Sequence, residues 1–173
     1  KWSDGSAVTA ADCVASLKRW GAKDVSGRLL FAAIGDIKAL DANTFTIALK
    51  SPFGPVLEML GKPSSNVPFM MPECIAATDP AEQIKDTVGS GPFIFKRDEW
   101  VPGSKVVYVK NPNYVPRKEP ADGLAGGKVV KVDRVEWNYI PDQNTALTAY
   151  KKGEMDIYEL PPADFIPTMT SDA

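Results

Sequence analysis

The clearest pattern of apolar and polar positions lies in the first twenty residues. Four apolar side chains recur there at helical spacing: Cys13, Val14, Leu17 and Trp20. The stretch Thr9-Ala10-Ala11-Asp12 just before them matches a capping box, with Thr9 as the N-cap. Gly21 follows the last apolar position, where glycine commonly ends a helix. The pattern therefore predicts an amphipathic helix over residues 9–20.

Period-two alternation predicts strands along much of the remaining sequence. Phe45, Ile47 and Leu49 share one face of a segment whose other face carries threonine and alanine. Similar reasoning predicts strands over residues 34–40, 44–49, the segment after Pro92, 105–110, 134–140 and 155–160. Further helices are predicted over residues 55–60, from Asp79 onward, and over residues 143–152 with Asp142 as the N-cap. This mixture indicates the α+β class. The least regular stretch, residues 50–88, places a boundary between an N-terminal lobe and a C-terminal sheet.

The composition is that of an ordinary globular protein. The 173 residues are 44% hydrophobic and 24% charged, with a net charge of −2, so a nucleic-acid surface is not indicated. There is no histidine, which removes the commonest general base and zinc ligand and excludes a Ser-His-Asp arrangement. Any metal site would need carboxylates or thiolates alone. The cysteines, Cys13 and Cys74, are expected to be two buried thiols, with one disulfide as the alternative.

Some residues are candidates for catalysis, each with a plainer structural interpretation. Ser90, within Gly89-Ser90-Gly91-Pro92, matches a nucleophile elbow only in part, because a β-prone segment follows where a helix is required. We expect a structural turn there, with a loop that presents backbone N–H groups to a ligand as the alternative. The carboxylates of Glu154, Asp156 and Glu159 could serve glycoside hydrolysis, although solvated or capping roles are commoner.

Two other residues are candidates for ligand contacts. Tyr158 is predicted at the end of a strand, where its ring can stack on a ligand. Arg28 is predicted in the loop Ser26-Gly27-Arg28, and its planar fork suits a carboxylate. Core packing of the ring and solvation of the guanidinium are the alternatives. Because no catalytic constellation is complete, the residues alone favour a binding module over an enzyme.

Six short motifs then occur in the order that is typical of one protein family. They are Lys1-Trp2-Ser3-Asp4-Gly5; Val8-Thr9-Ala10 with Asp12 and Val14; Asp41 and Thr44 ahead of Leu49; Gly89-Ser90-Gly91-Pro92-Phe93; Lys110-Asn111 with Tyr114; and Asp142, Thr145, Ala149, Gly153-Glu154 and Asp156. Through them the sequence resembles the family 5 extracellular solute-binding proteins of bacterial ABC importers, the peptide, nickel and opine binders. Tyr150 stands where the family usually has leucine, a difference that bears on packing.

The resemblance implies a fold and a division of the chain. Family members are two-lobed periplasmic binding proteins (type II, cluster C-like), in which a mixed β-sheet lobe with flanking helices carries a small α/β subdomain. Residues 1–87 would belong to that subdomain, residues 88–157 to the sheet of the first lobe, and residues 158–173 to the crossing into the second lobe. Since family members are much longer, we expect the chain to be an internal piece that lacks the secretion signal and the second lobe.

The resemblance also implies a site and its partners. Family members bind solute in the cleft between the lobes and close it by a hinge motion. Ligand contacts are therefore expected, in order of preference, at Tyr158, Glu159 and Pro161, at Arg28 and Leu29, and at Ser90. The cargo would be a peptide or a similar small solute, delivered in the periplasm to an inner-membrane ABC permease, with no cofactor, metal or nucleic acid.

The rival hypothesis is a stand-alone hydrolase that uses Ser90 or the three carboxylates near residues 154–159. A third alternative is a stand-alone interaction domain, which tight binding of a protein partner would favour. The resemblance carries two further expectations for the chain by itself. It should bind solute weakly or not at all, because contacts from a second lobe would be missing. It should also self-associate through an exposed apolar edge.

Overall fold

The computed structural model describes residues 1–63, 66–123 and 125–170. The helices in this part of the chain are α1 (Ala10–Lys23), α2 (Val25–Ala33), α3 (Val56–Leu60), α4 (Glu73–Ala76), α5 (Gln143–Lys151) and α6 (Ile166–Thr170). The strands are β1 (Ile34–Ala39), β2 (Phe45–Leu49), β3 (Phe93–Phe95), β4 (Lys105–Lys110) and β5 (Arg134–Asn138). The predicted mixture of helices and sheet is confirmed.

Helix α1 begins at the predicted capping box. Asp12 donates its backbone N–H to Thr9 Oγ1 at 3.3 Å, and Thr9 donates its own backbone N–H to Asp12 Oδ2 at 2.7 Å. The prediction that Gly21 ends the helix is wrong, since α1 continues to Lys23. Gly21 is buried, and a side chain there would overlap the ring of Phe31 in α2. The glycine therefore serves the packing of α1 against α2.

Helix α2 covers Ser26-Gly27-Arg28, so the prediction of a loop there is wrong. Asp24 is the N-cap, and its Oδ1 accepts a hydrogen bond from the Gly27 backbone N–H at 3.0 Å. A Cβ atom on Gly27 would lie 2.9 Å from the carbonyl oxygen of Trp20, so glycine permits the close approach of α2 to α1. Residues that individually favour a turn thus form a capped helix in contact with another helix.

Strands β1 and β2 lie in the segments predicted as strands over residues 34–40 and 44–49, and they form an antiparallel hairpin. The register places Ile37 opposite Ile47 and Ala39 opposite Phe45. The hairpin packs with α1 and α2 around one core, whose buried members are Val14, Leu17, Trp20, Leu30, Ile34 and Ile37. Amphipathic α1 and the inward face of the hairpin therefore bury each other.

The segment over residues 66–82 is fixed to α1 by polar side chains. Each contact joins a side chain of α1 to a backbone group of the segment: Asp12 to Glu73, Ser16 to Met71, Arg19 to Thr78 and Glu82, and Trp20 to Asn66. Helix α4 forms here, where the sequence predicts a loop. The helix predicted from Asp79 is absent, because Asp79 Oδ1 instead accepts from the Ala81 N–H at 2.7 Å in a turn.

The two cysteines are both free thiols. Cys13 is half-buried in α1, whereas Cys74 in α4 is exposed, so the prediction of two buried thiols is wrong for Cys74. Burial, together with the negative charge of Asp12, raises the pKa of the Cys13 thiol.

The second sheet has the strand order β3-β4-β5. Strands β3 and β4 are antiparallel, with Phe95 opposite Tyr108 and their ring centroids 5.8 Å apart. Gly103, in the turn before β4, has φ +74°, a conformation that favours glycine. Val107 in β4 is fully buried.

Helix α5 is capped as the sequence predicts, since Asp142 Oδ1 accepts from the Thr145 backbone N–H at 2.8 Å. The helix is followed by Gly153, whose φ is +73°. The strand predicted over residues 155–160 is not formed. An irregular stretch leads instead to a 3-10 turn, Ala163–Phe165, and to α6.

The chain divides into two compact units. Unit 1 consists of Lys1–Phe95 and Tyr108–Arg134, and unit 2 of Lys96–Val107 and Val135–Ala173. No helix in the described residues has the length and apolar character needed to cross a membrane. The division predicted at residues 1–87, 88–157 and 158–173 stays a prediction.

Candidate functional site

The predicted site residues fall into three groups. Arg28 and Leu29 lie on α2, and Ser90 lies in the turn before β3; both groups belong to unit 1. Tyr158, Glu159 and Pro161 lie in the irregular stretch after α5, in unit 2. The structure therefore places Arg28 beside Leu29 and keeps residues 158–161 in one segment.

The first group lies on the exposed side of α2. Leu29 is 56% exposed and Val25, one turn earlier, is 65% exposed, whereas Gly27 and Leu30 on the other side are buried. The Arg28 side chain is also exposed, and none of the ion pairs found among the described residues includes it. The guanidinium is therefore available for an anion next to two apolar side chains.

A partly buried ion pair contacts the first turn of α2. Lys62 Nζ lies 3.2 Å from Asp24 Oδ2, and only 19% and 7% of the two side chains are exposed. The hydrogen bond from the Gly27 backbone and the charge of Lys62 lower the pKa of Asp24, against the opposing effect of its burial. The charged form of Asp24 thus caps α2 and binds Lys62.

Hydrogen bonds to backbone carbonyl oxygens hold the turn that carries Ser90. Gly89 O accepts from the Ser3 backbone N–H at 2.8 Å, and Gly91 O accepts from Asn111 Nδ2 at 2.8 Å. A third contact joins the Asn111 backbone N–H to Pro92 O at 2.9 Å. Ser90 itself is exposed at the tip. The expected structural turn is present, and the absence of histidine from the sequence leaves its hydroxyl without a Ser-His arrangement.

The third group does not lie at the end of a strand, so that part of the prediction is wrong. Tyr158 and Pro161 are half-buried and Glu159 is exposed. The other two carboxylates of the hydrolase hypothesis, Glu154 and Asp156, are exposed as well. Exposed carboxylates fit the solvated role that we gave as their plainer interpretation.

The shallow surface cavities in the described parts of the chain include the following two. One, of about 280 Å³, is lined by polar groups of α5 and the turn after it: Asn144, Thr145, Thr148, Lys152 and Glu154. The other, of about 470 Å³, lies between α1, α2 and β1 and includes Lys18, Phe31 and Asp36. Among the described residues no three cysteine or acidic side chains form a cluster that could hold a metal ion.

Sequence reasoning missed Val25 and Lys62. Val25 and Leu29 are four residues apart, a spacing that places two residues on one face of a helix. The spacing was not used because a loop was predicted at Ser26-Gly27-Arg28. Lys62 has no local signal, because its partner Asp24 is 38 residues away in the sequence.

The whole chain, residues 1–173, matches the family model described as bacterial extracellular solute-binding proteins, family 5 Middle. This chain belongs to that family. The resemblance seen in the short motifs is therefore confirmed.

Curated relatives agree with the family assignment. A probable peptide ABC transporter periplasmic-binding protein of Sinorhizobium fredii, y4tO, is 44% identical over 99% of this chain and 32% of its own length. The nickel-binding periplasmic protein of Escherichia coli is 30% identical over 72% of this chain and 21% of its own length. The chain thus spans about a third of the length of y4tO.

Solved structures show the same fold. The binding protein AgaA of A. tumefaciens R10, in complex with agropinic acid, superposes with a TM-score of 0.73 at 26% identity, over 99% of this chain and 32% of AgaA. NikZ of Campylobacter jejuni superposes with a TM-score of 0.70 at 21% identity, over 99% of this chain and 32% of NikZ. Nothing in these comparisons supports the hydrolase hypothesis.

Proposed function

We propose that the protein is the solute-binding component of an ABC import system. It binds a peptide or a similar small solute and delivers it to a permease in the inner membrane. The observation that carries the proposal is the match of all 173 residues to the solute-binding family. The protein acts by binding and is not an enzyme. Its compartment is the periplasm, as the names of the relatives say of those proteins.

The cargo is proposed from the relatives. The name of y4tO assigns it to a peptide transporter, and AgaA was solved with agropinic acid. Peptides are the first class to test, because y4tO has the higher identity to this chain of the two. Acidic solutes of the opine type are the second class.

The contacts proposed for the solute are those predicted from the sequence. Tyr158, Glu159 and Pro161 would contact it from the segment after α5, and Arg28 with Leu29 from α2. Ser90 is the third choice, and its exposure at the tip of a fixed turn is compatible with a contact. In this proposal the lobes follow the predicted division, with the crossing into the second lobe at residues 158–173.

Isothermal titration calorimetry on the natural protein that carries this sequence tests the proposal. The protein is titrated with pools of di- to pentapeptides and then with opine-type sugar–amino acid conjugates. We expect saturable binding of one class with a one-to-one stoichiometry. If the folded protein binds no member of either class, the proposed function is wrong. Turnover of an ester or glycoside that is abolished by Ser90→Ala would support the hydrolase instead.

A further inference from the structure

Asn111 is a buried polar residue that joins the turn around Ser90 to the second sheet. It directly follows the last residue of β4, and only 3% of its surface is exposed. Its side-chain amide donates to Gly91 O at 2.8 Å, and its backbone N–H donates to Pro92 O at 2.9 Å. Buried polar groups are hydrogen-bonded in folded proteins, and here both partners lie in the turn. Asn111 therefore links the position of the turn to that of β4.

The sequence of the turn explains why a side chain is needed as the donor. Strands β3 and β4 pair with Phe93 opposite Lys110, so the next pair along the ladder is Pro92 and Asn111. Pro92 has no N–H group and cannot donate a ladder hydrogen bond. The Asn111 amide reaches one residue further and donates to Gly91 O. Pairing between the two chain segments thus continues beyond β3 through a side chain.

A second set of hydrogen bonds holds the other side of the turn. Asn111 Oδ1 accepts from the Asn113 backbone N–H at 3.0 Å, and Asn113 Nδ2 donates to Ser3 O at 3.3 Å. The Ser3 backbone N–H donates in turn to Gly89 O at 2.8 Å. The carbonyl groups of both glycines in the turn therefore accept hydrogen bonds from one connected network.

Packing contributes little to the order of the tip of this turn. At Gly89 and at Gly91, no atom beyond the adjoining residues lies within 4 Å of the place that a Cβ would take. The side chain of Ser90 between them is exposed. Glycine has more backbone freedom than any other residue, so the tip depends on its hydrogen bonds for a fixed conformation. A contact whose geometry is fixed in advance loses less entropy when a ligand binds.

From these observations we propose that Asn111 is a positioning residue for solute binding, because its side-chain hydrogen bond to Gly91 O holds the Ser90 hydroxyl where that group contacts the solute. The inference rests on the proposed function and on the contact proposed there for Ser90. It adds a residue that acts through the turn without touching the solute.

A double-mutant cycle on the natural protein tests this role, with solute affinity measured by calorimetry. The probe is the tightest-binding member of the di- to pentapeptide and opine-type pools. The four proteins are the wild type, Asn111→Ala, Ser90→Ala and the double variant. We expect Asn111→Ala to weaken binding about fivefold when Ser90 is present, and by less than about twofold when Ser90 is already alanine. Asn43→Ala, at an exposed site in the turn between β1 and β2, should leave the affinity unchanged.

Circular dichroism first establishes that each variant is folded. If Asn111→Ala does not fold, Asn113→Ala, which removes the hydrogen bond to Ser3 O, takes its place in the cycle with the same expectation. A change of equal size in both backgrounds, including no change, would overturn the positioning role, and so would a Ser90→Ala protein with unaltered affinity. In each of these cases solute binding itself remains. A wild-type protein that binds no member of the pools would instead overturn the proposed function.

Discussion

At the scale of single residues, Asp12 joins three parts of unit 1. Its carboxylate accepts hydrogen bonds from Trp2 Nε1, the Thr9 backbone and the Glu73 backbone, at 3.3, 2.7 and 2.7 Å. Burial tends to raise the pKa of Asp12, but the hydrogen bonds from Glu73 and Thr9 outweigh it and the pKa is lowered. The negative form is therefore the one that the fold stabilises.

This lowered pKa gives a prediction for Asp12→Asn. A carboxyl group whose pKa is lower in the folded state stabilises the fold above its ordinary pKa near 4, and the benefit is lost as the pH falls through the folded value. We expect the variant to lose about 2 kcal/mol at pH 7 and to show a shallower loss of stability between about pH 5 and pH 2. Urea unfolding across that range is the measurement. Asp36→Asn, which changes an exposed carboxylate, is the control, and identical acid profiles for the two variants would contradict the account.

Side-chain hydrogen bonds could be predicted from the sequence where the two residues are close together in the chain. The capping box of Thr9 and the cap of Asp142 were predicted, because each N-cap side chain binds a backbone group three residues away. The Lys62–Asp24 pair and the contact between Asp12 and Glu73 could not be predicted, because tertiary packing brings those residues together.

At the scale of elements, the contact between α1 and α2 depends on glycine. Gly21→Ala should destabilise the protein by about 1–3 kcal/mol, because the new methyl group overlaps the Phe31 ring. The direction of the change separates packing from helix propensity, because alanine inside a helix otherwise stabilises a protein by about 1 kcal/mol relative to glycine. Thermal or urea unfolding measures the change. Gly54→Ala, where no atom beyond the adjoining residues lies within 4 Å of the new Cβ, is the control. A stabilised Gly21→Ala protein would contradict this packing.

The attachment of residues 66–82 to α1 gives a second prediction for an element. Arg19 is buried and donates to the carbonyl oxygens of Thr78 and Glu82 at 2.6 and 2.8 Å. Arg19→Met should loosen residues 77–83 specifically, which hydrogen exchange measured by mass spectrometry would detect as faster exchange there. The β1–β2 hairpin should be unchanged. Lys18→Met, at the exposed neighbouring position, should leave the hydrogen exchange of all segments unchanged. If Lys18→Met speeds exchange over residues 77–83 as much as Arg19→Met does, the hydrogen bonds of Arg19 do not hold that segment.

Predictions of loops and strands were wrong where tertiary packing outweighed the local conformational preference of the residues. The residues Ser26 and Gly27 favour a turn, yet they lie in α2 because Asp24 caps it and Gly27 fits against α1. The alternation over residues 155–160 predicts a strand, but in the described part of the chain no strand pairs with those residues. Strand preference alone is weak without a neighbouring strand.

At the scale of the whole molecule, unit 2 exposes an aromatic face. Trp137 and Tyr139 lie two residues apart and are 59% and 67% exposed. We expect the 173-residue chain to self-associate at high concentration through this face. Trp137→Lys should reduce association in sedimentation velocity, and Asn138→Lys, between the two aromatic residues in the sequence, should not. A chain that remains monomeric at millimolar concentration would contradict the prediction.

Uptake of the bound solute by cells tests whether the protein serves transport. The measurement compares uptake of the labelled solute in a strain that lacks the gene with uptake after the gene is restored. We expect deletion to abolish high-affinity uptake and restoration of the gene to recover it. Unchanged high-affinity uptake in the deletion strain would contradict the proposal that this protein delivers the solute to an importer.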